Sequence, residues 1–463
     1  MNKLMAMEDA TLKFAAALHR SCSDFSDADR LSAMLNFIDG IACGHAGFRR
    51  VEIQTLLASK VVDVRSDELG WLIGSGLRCR PSDAVLINSM AAHIDDFDDD
   101  EALVSIAHVT VPTMTAAVAA AAISNCSGAT LLNGYLSGVE TMVALGHLLN
   151  PEHYALGWHA SATLGVFGAA IAAGHVLGLS AEQKATALAF AATTSSGMRS
   201  AFGSSAKPWQ VASAARNGFD AAQLAAIGLD ANASIFGRMG LAELYGGDPS
   251  RINDVLSHVG SGSPFHKPGV TIKAYPCCTA AHTAMEACEI IRNRSPNDFI
   301  ETVDSIRVTV GKTIPSILVH SRPTTALEGK FSMQFCAAAA LCLPSAGLDA
   351  FTDEMLEDRN IRRVMERVHM VGLAEQDDPF LCNVTVSLID GSSDNETVMR
   401  TKGSPDRPFN RSALQQKFAM VCGSADADTA FEYLYQLPMV PAWRPFEQRL
   451  GELLGNLKAK KTM

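Results

Sequence analysis

From residue 8 to about 260, apolar positions recur at helical intervals, broken by loops marked with Gly, Pro, Ser and Asp. The stretch "SAEQKATALAFAATTSSG" opens with Ser180 and Gln183 in capping-box spacing, which predicts a helix beginning at Ala181. "HASATLGVFGAAIAAGHVLGL" and "ARNGFDAAQLAAIGL" are apolar nearly all round and rich in small residues, so they predict helices buried on several sides. No short-period repeat stands out. Paired helices of similar composition are expected to stack as hairpins.

Near residue 267 the period changes. "VDSIRVTVGK" and "FLCNVTVSLIDGSS" alternate as strands do, the second ending in the turn-forming pair Asp390-Gly391. Helical segments, "AAHTAMEACEIIRN" and "GKFSMQFCAAAALC", lie between them. After "KGSPDRPFN" come two more helices, "SALQQKFAMVCG" and "AWRPFEQRLGELLGNL". The expected fold class is mainly α: a large all-helical domain from residues 1–267 and 403–463, with a smaller α+β lid domain over 268–402 as an insertion.

Composition narrows the function classes. The chain has 463 residues, 48% of them hydrophobic and 19% charged, which is the balance of a globular protein. A formal charge of −11 argues against nucleic acid as a partner. Eleven cysteines without a C-x-x-C pair point to a reduced, intracellular protein. The charged N-terminus "MNKLMAMEDATLKFAAALHR" lacks the apolar run of a signal peptide, and the run from Val109 to Ile123 is too short to span a membrane. The expectation is therefore a cytoplasmic protein with no membrane partner.

Chemistry is concentrated in "AAHIDDFDDD", residues 91–100, which runs on into Glu101. Asp95-Asp96-Phe97-Asp98-Asp99 satisfies the D-D-x-x-D pattern of Mg²⁺-diphosphate sites, but no second acidic motif and no aromatic-lined pocket accompany it. The Asp spacing and the Gly of an EF-hand loop are missing as well. Ionisable residues recur in apolar settings elsewhere. His108 precedes the Ala-rich helix, His159 lies in "ALGWHASATLG", Lys207 in "GSSAKPWQ" and Lys273 in "VTIKAYPCC". An unpaired buried ammonium is costly, so lysines and histidines converging on one pocket suit a small polycarboxylate substrate. Burial there is expected to lower a lysine pKa towards that of a general base. A non-catalytic helical scaffold that binds a basic partner through its acidic loop is the competing class. It gives no reason for four such residues at separate apolar sites.

In order along the chain, "HIDDFDDD…H", "GWHASATLGVFGAA", "AKPWQVASAARNGFDAAQLAA", "IKAYPCCTAAHTAMEA", "EGKFSMQF" and "KGSPDRPFN…KF" resemble the MmgE/PrpD family over residues 10–450 or so. That family includes 2-methylcitrate dehydratase, cis-aconitate decarboxylase and iminodisuccinate epimerase. The resemblance implies a homodimer with a helical domain and an α+β lid, acting on small di- or tricarboxylates without metal or cofactor. Carried over by position, it implies catalytic roles for Asp96, His108, His159 and Lys273, and substrate binding by Lys207. In "ILVHSRP", His320 and Arg322 are assigned to substrate binding.

Two positions depart from the family pattern. Asp100 stands where Thr is usual, and His320 stands near the place of a frequent Tyr. Loss of two neutral hydroxyl donors favours an epimerase of the iminodisuccinate type. A 2-methylcitrate dehydratase-like lyase or a cis-aconitate decarboxylase is the alternative. Within the acidic run, Asp96 is expected to face the pocket, with Asp98 and Asp99 capping the following turn. Asp100 and Glu101 are read as solvated or as tuning specificity.

Overall fold

The computed structural model describes residues 10–455 apart from residues 60, 66, 232–233, 297, 374, 376–377, 379 and 424–425. The N-terminal residues 1–9 and the end of the last expected helix lie outside the described residues. The principal helices in the first part are α1 (Ala10–Asp24), α2 (Asp27–Gly47), α3 (Pro81–His93), α4 (Thr110–Ser124), α5 (Gly128–Leu149), α6 (Gly165–Val176), α7 (Ala181–Ala192) and α8 (Ala206–Ala226). α6 packs against α4, α5, α7 and α8, so it needs a thin profile on every side. Its Gly and Ala residues supply that. A Cβ at Gly138 of α5 would lie 2.7 Å from the carbonyl oxygen of Gly168, and one at Gly218 of α8 would lie 2.2 Å from that of Val166. The capping box at α7 forms as its spacing predicts: the Gln183 N–H donates to Ser180 Oγ at 3.2 Å and the Ser180 N–H to Gln183 Oε1 at 3.0 Å.

The second part contains α9 (His282–Arg294), β1 (Val303–Gly311), α10 (Met333–Cys342), α11 (Arg359–Met365), β2 (Val368–Leu373), β3 (Cys382–Leu388) and β4 (Ser393–Val398). The strands form one mixed sheet in the order β2-β1-β3-β4. β1 runs parallel to β2 and antiparallel to β3, with Val308 opposite Met370 on one side and Val384 on the other. Two of these strands, β1 and β3, follow the alternation noted in the sequence. β2 and the polar edge strand β4 carry no comparable signal. α12 (Arg411–Cys422), α13 (Ala427–Leu434) and α14 (Trp443–Gly455) complete the chain.

Apolar burial divides into two large clusters. One gathers residues between Ala10 and Ile272 together with Leu414 to Leu454. The other lies wholly between Tyr275 and Val398. The final helices therefore return to the first core, where α12 packs on α2. Among the described residues, no helix is long and apolar enough to cross a membrane.

Candidate active site

α3 ends at His93, and the chain then turns sharply through the acidic run. Asp96 sits at φ 51°, the left-handed region, which costs a non-glycine residue on the order of 1–3 kcal/mol unless its surroundings impose it. Beyond the turn, a short loop is closed by paired backbone bonds between Glu101 and Ala107. The buried Glu101 carboxylate fills this loop, accepting from the N–H groups of Leu103 at 2.7 Å and Val104 at 2.9 Å and from Ser105 Oγ at 2.8 Å. His108 leaves the loop just before α4, its own N–H held by Ser161 Oγ at 2.9 Å.

Asp98 lies between two imidazoles, 2.9 Å from His93 Nδ1 and 3.0 Å from His108 Nδ1. Asp96 Oδ1 is 3.2 Å from His108 Nε2, 2.8 Å from Lys207 Nζ and 3.3 Å from Lys273 Nζ. Burial raises both carboxyl pKa values. The lysines and His108 around Asp96, and the two histidines around Asp98, outweigh it and hold both groups well below the carboxylate range. For His108, burial lowers the pKa, but the Asp98 carboxylate reverses the direction and leaves it raised. His108 therefore favours its charged form, with Asp96 and Asp98 oxygens 3.2 and 3.0 Å from its two ring nitrogens.

The other histidines are neutral for reasons of their own. Burial, partly opposed by Asp98, lowers His93 to about 4. Its Nδ1–H donates to Asp98 while Nε2 accepts from Lys207 Nζ at 2.7 Å. Burial and the neighbouring Lys207 charge hold His159 well below its ordinary value. Among the described residues neither His159 ring nitrogen has a hydrogen-bond partner, although the residue is 2% exposed. The site therefore pairs one proton-loaded imidazole with one empty one, the separation of pKa values that acid–base chemistry needs.

Asp96, His108, His159, Lys207 and Lys273 all line one cleft with a free volume of about 70 Å³, closed by Phe202 and Phe331. His93, Asp96, Asp98 and His108 also bring possible ligand atoms within 4.8 Å of one another, a spacing a metal ion could use. Lys207 and Lys273 already serve the same Asp96 oxygen, and Lys207 the His93 nitrogen, so protein cations occupy that role.

The MmgE/PrpD N-terminal domain matches residues 13–252 and the MmgE/PrpD C-terminal domain residues 275–430. The chain belongs to the MmgE/PrpD family. Its relatives include the cis-aconitate decarboxylase-like protein oryM of Aspergillus oryzae (strain ATCC 42149 / RIB 40), 26% identical over 84% of this chain and 85% of that protein. Cis-aconitate decarboxylase of Aspergillus terreus is 26% identical over 86% of each chain, and that of Mus musculus 24% over 89% and 87%.

Within this MmgE/PrpD chain, several sequence-based expectations change. Lys273 is not a lowered-pKa base: burial pushes it down, but Asp96, Asp100 and Asp98 push it further up and keep it charged. Asp98 does not cap the turn, since it joins His93 to His108. Asp99 does act at the start of α4, accepting from Thr110 Oγ1 at 2.5 Å and its N–H at 3.3 Å. Asp100 and Glu101 are not solvated, being 9% and 0% exposed. Asp100 accepts from Thr279 Oγ1 at 2.5 Å on the pocket wall. His320 stands behind that wall, its Nε2 3.2 Å from the Phe202 carbonyl oxygen, and Arg322 is exposed. Neither lines the cleft.

Sequence reasoning missed His93, which ends α3 within the acidic stretch, and the pocket hydroxyls of Tyr154, Ser161 and Thr279. Tyr154 stands five residues before His159, in the same loop-rich segment "EHYALGWH". It also missed the buried lysines Lys330 and Lys417, whose partners are distant in sequence.

Proposed function

We propose that the chain is a lyase that breaks a bond next to a carboxylate of a small polycarboxylate, with decarboxylation of a cis-aconitate-like substrate as the leading reaction. The observation that carries this reading is the His108 imidazolium, bracketed by Asp96 and Asp98 in a cleft with two ammonium groups and the unpartnered His159. Lys207 and Lys273 bind substrate carboxylates and stabilise the charge that gathers on one of them as the adjacent bond breaks. In decarboxylation the carbon–carbon bonding pair moves into the neighbouring conjugated carboxylate, CO₂ leaves, and His108 delivers its proton to carbon. His108 is then recharged from solvent. In dehydration, His159 would take the α-proton and His108 would protonate the departing hydroxyl.

Two considerations favour a lyase over the epimerase expected from the sequence. Two of the named relatives are cis-aconitate decarboxylases and the third is a cis-aconitate decarboxylase-like protein. The supposed loss of neutral hydroxyls does not hold either, because Tyr154, Ser161 and Thr279 line the cleft. Incubation of the purified protein with cis-aconitate, a 2-methylcitrate stereoisomer and a single enantiomer of iminodisuccinate in D₂O separates the reactions. CO₂ release from cis-aconitate is the expected result, and a new alkene absorbance from 2-methylcitrate would assign dehydration instead. Loss of optical rotation with deuterium uptake, and neither other signal, would overturn the lyase reading in favour of epimerisation.

A further inference from the structure

Three consecutive carbonyl oxygens of the acidic turn each accept from a different buried lysine. Lys330 Nζ donates to the Asp95 carbonyl at 3.0 Å, Lys273 Nζ to that of Asp96 at 3.0 Å, and Lys417 Nζ to that of Phe97 at 3.0 Å. The three side chains are 2%, 0% and 6% exposed. Two of them reach a second backbone segment as well: Lys330 donates to the Pro276 carbonyl at 3.0 Å and Lys273 to the Cys277 carbonyl at 3.1 Å. Two ammonium rungs thus join residues 95–96 to residues 276–277. Lys417, from α12, also pairs with Asp39 of α2 at 2.7 Å and lies 4.0 Å from the centre of the Phe97 ring.

The turn held this way contains Asp96, whose backbone lies in the left-handed region. A carbonyl oxygen aimed at an ammonium is a strong acceptor, and three in a row fix the orientation of the peptide planes that flank Asp96. The donors come from three separate parts of the chain. Lys330 lies between β1 and α10, within the part of the chain that forms the second apolar cluster, Lys273 at the junction of the two clusters, and Lys417 on α12 of the first. Neither Lys330 nor Lys417 lines the cleft, so neither touches a substrate there.

We propose that Lys330 and Lys417 are positioning residues, forming with Lys273 an ammonium cradle that holds Asp96 in its left-handed conformation and so aims its carboxylate at His108 and Lys207. Docking of the second cluster on the first then assembles the acid–base pair, because Lys330 brings a donor across that junction. The consequence for turnover rests on the roles given above to Asp96 and His108. The geometry of the cradle does not, and it can be tested without a substrate.

The test is the titration of His108 followed by NMR of ¹³C-histidine-labelled protein, assigned with His108→Gln. Lys330→Met removes one rung. Asp39→Asn with Lys417→Met removes another without leaving a buried carboxylate unpaired. Lys184→Met, which removes a buried ammonium away from the turn, is the control for general loosening. In both cradle variants Asp96 swings away from His108, and the His108 midpoint falls by ~1 pH unit, while the control leaves it in place. Loss of a positive charge alone would move His108 upward, and the double variant changes no net charge, so the downward shift is specific to the lost geometry. An unchanged or raised midpoint in the cradle variants overturns the proposal, as does an equal fall in Lys184→Met. Should Lys330→Met not fold, the double variant decides between these outcomes alone.

Discussion

At the scale of single residues, the site works through contrast between like groups. His108 and His159 have the same side chain and face the same cleft, yet one is charged and the other neutral. The difference comes from neighbouring charge: His108 has the Asp96 and Asp98 carboxylates within 3.2 Å, whereas His159 has a lysine charge nearby and, among the described residues, no hydrogen-bond partner. A reaction that needs both states runs on a plateau across neutral pH. It fails on the alkaline side, as pH rises through the raised pKa of His108. Asp98→Asn removes the strongest upward influence on that pKa. The alkaline limb of the pH–rate profile should then move to lower pH by ~1 unit or more, with activity at pH 6 less affected than at pH 8. A limb that stays in place would mean that another group controls it.

The acidic run also shows what residue-level reading can and cannot reach. His108, His159, Lys207 and Lys273 stood out because ionisable side chains in apolar text need partners, and Asp96 through the resemblance to the MmgE/PrpD family. The division of labour among neighbouring carboxylates was not legible, because it depends on backbone direction. Asp95 turns to Arg50, Asp96 to the lysines, Asp98 to the histidines, Asp99 to Thr110 and Asp100 to Thr279. A left-handed residue in the middle of the run redirects every side chain after it, and no composition rule anticipates that turn.

At the scale of elements, close helix packing explains the abundance of Gly and Ala. Gly218 of α8 faces the Val166 carbonyl of α6 so closely that a Cβ would sit 2.2 Å from the oxygen. Gly218→Ala must push α8 off α6, and overpacking of this kind costs ~1–3 kcal/mol or more. The expected result is a lower denaturant midpoint, whereas Gly76→Ala, where no atom lies within 4 Å of an added Cβ, should stay close to the parent. Equal midpoints for the two variants would show that the helices accommodate the methyl group freely. Helices of this sort were legible from sequence because small residues and capping signals mark them locally. The edge strand β4, "SDNETV", was not, since an edge strand with one solvated face needs few apolar residues. Lys330 and Lys417 were silent for a related reason: their carbonyl partners lie 235 and 320 residues away in sequence.

At the scale of the whole molecule, the histidines set the acid limit of stability. Burial lowers the pKa of His45 and His282 to about 3, and of His93 and His153 to about 4. In the unfolded chain each titrates near 6.5. Between those values the unfolded state binds protons that the folded state refuses, so stability falls as pH falls from 6.5 towards 4. A depression of two units or more corresponds to ~3 kcal/mol for each histidine at the bottom of the window, and the four act together. His108 works in the other direction. Its raised folded pKa contributes stability that is complete below 6.5 and is lost as pH rises through the folded value. Asp96 and Asp98, held well below 3.8, begin to lose theirs only at more acid pH. The four histidines therefore pull the melting temperature down between 6.5 and 4, against the buried carboxyls of Asp39, Asp99 and Glu101, whose raised pKa values gain stability as pH falls. A His153→Gln variant with the same profile as the parent, read by scanning calorimetry, would mean that this histidine is hydrated or paired in the folded protein. Replacing His153, which packs against Trp158 and Tyr245 outside the cleft, with Gln should reduce the slope of the drop. The Asp98→Asn shift in the alkaline limb should be left untouched, because the two groups belong to separate networks.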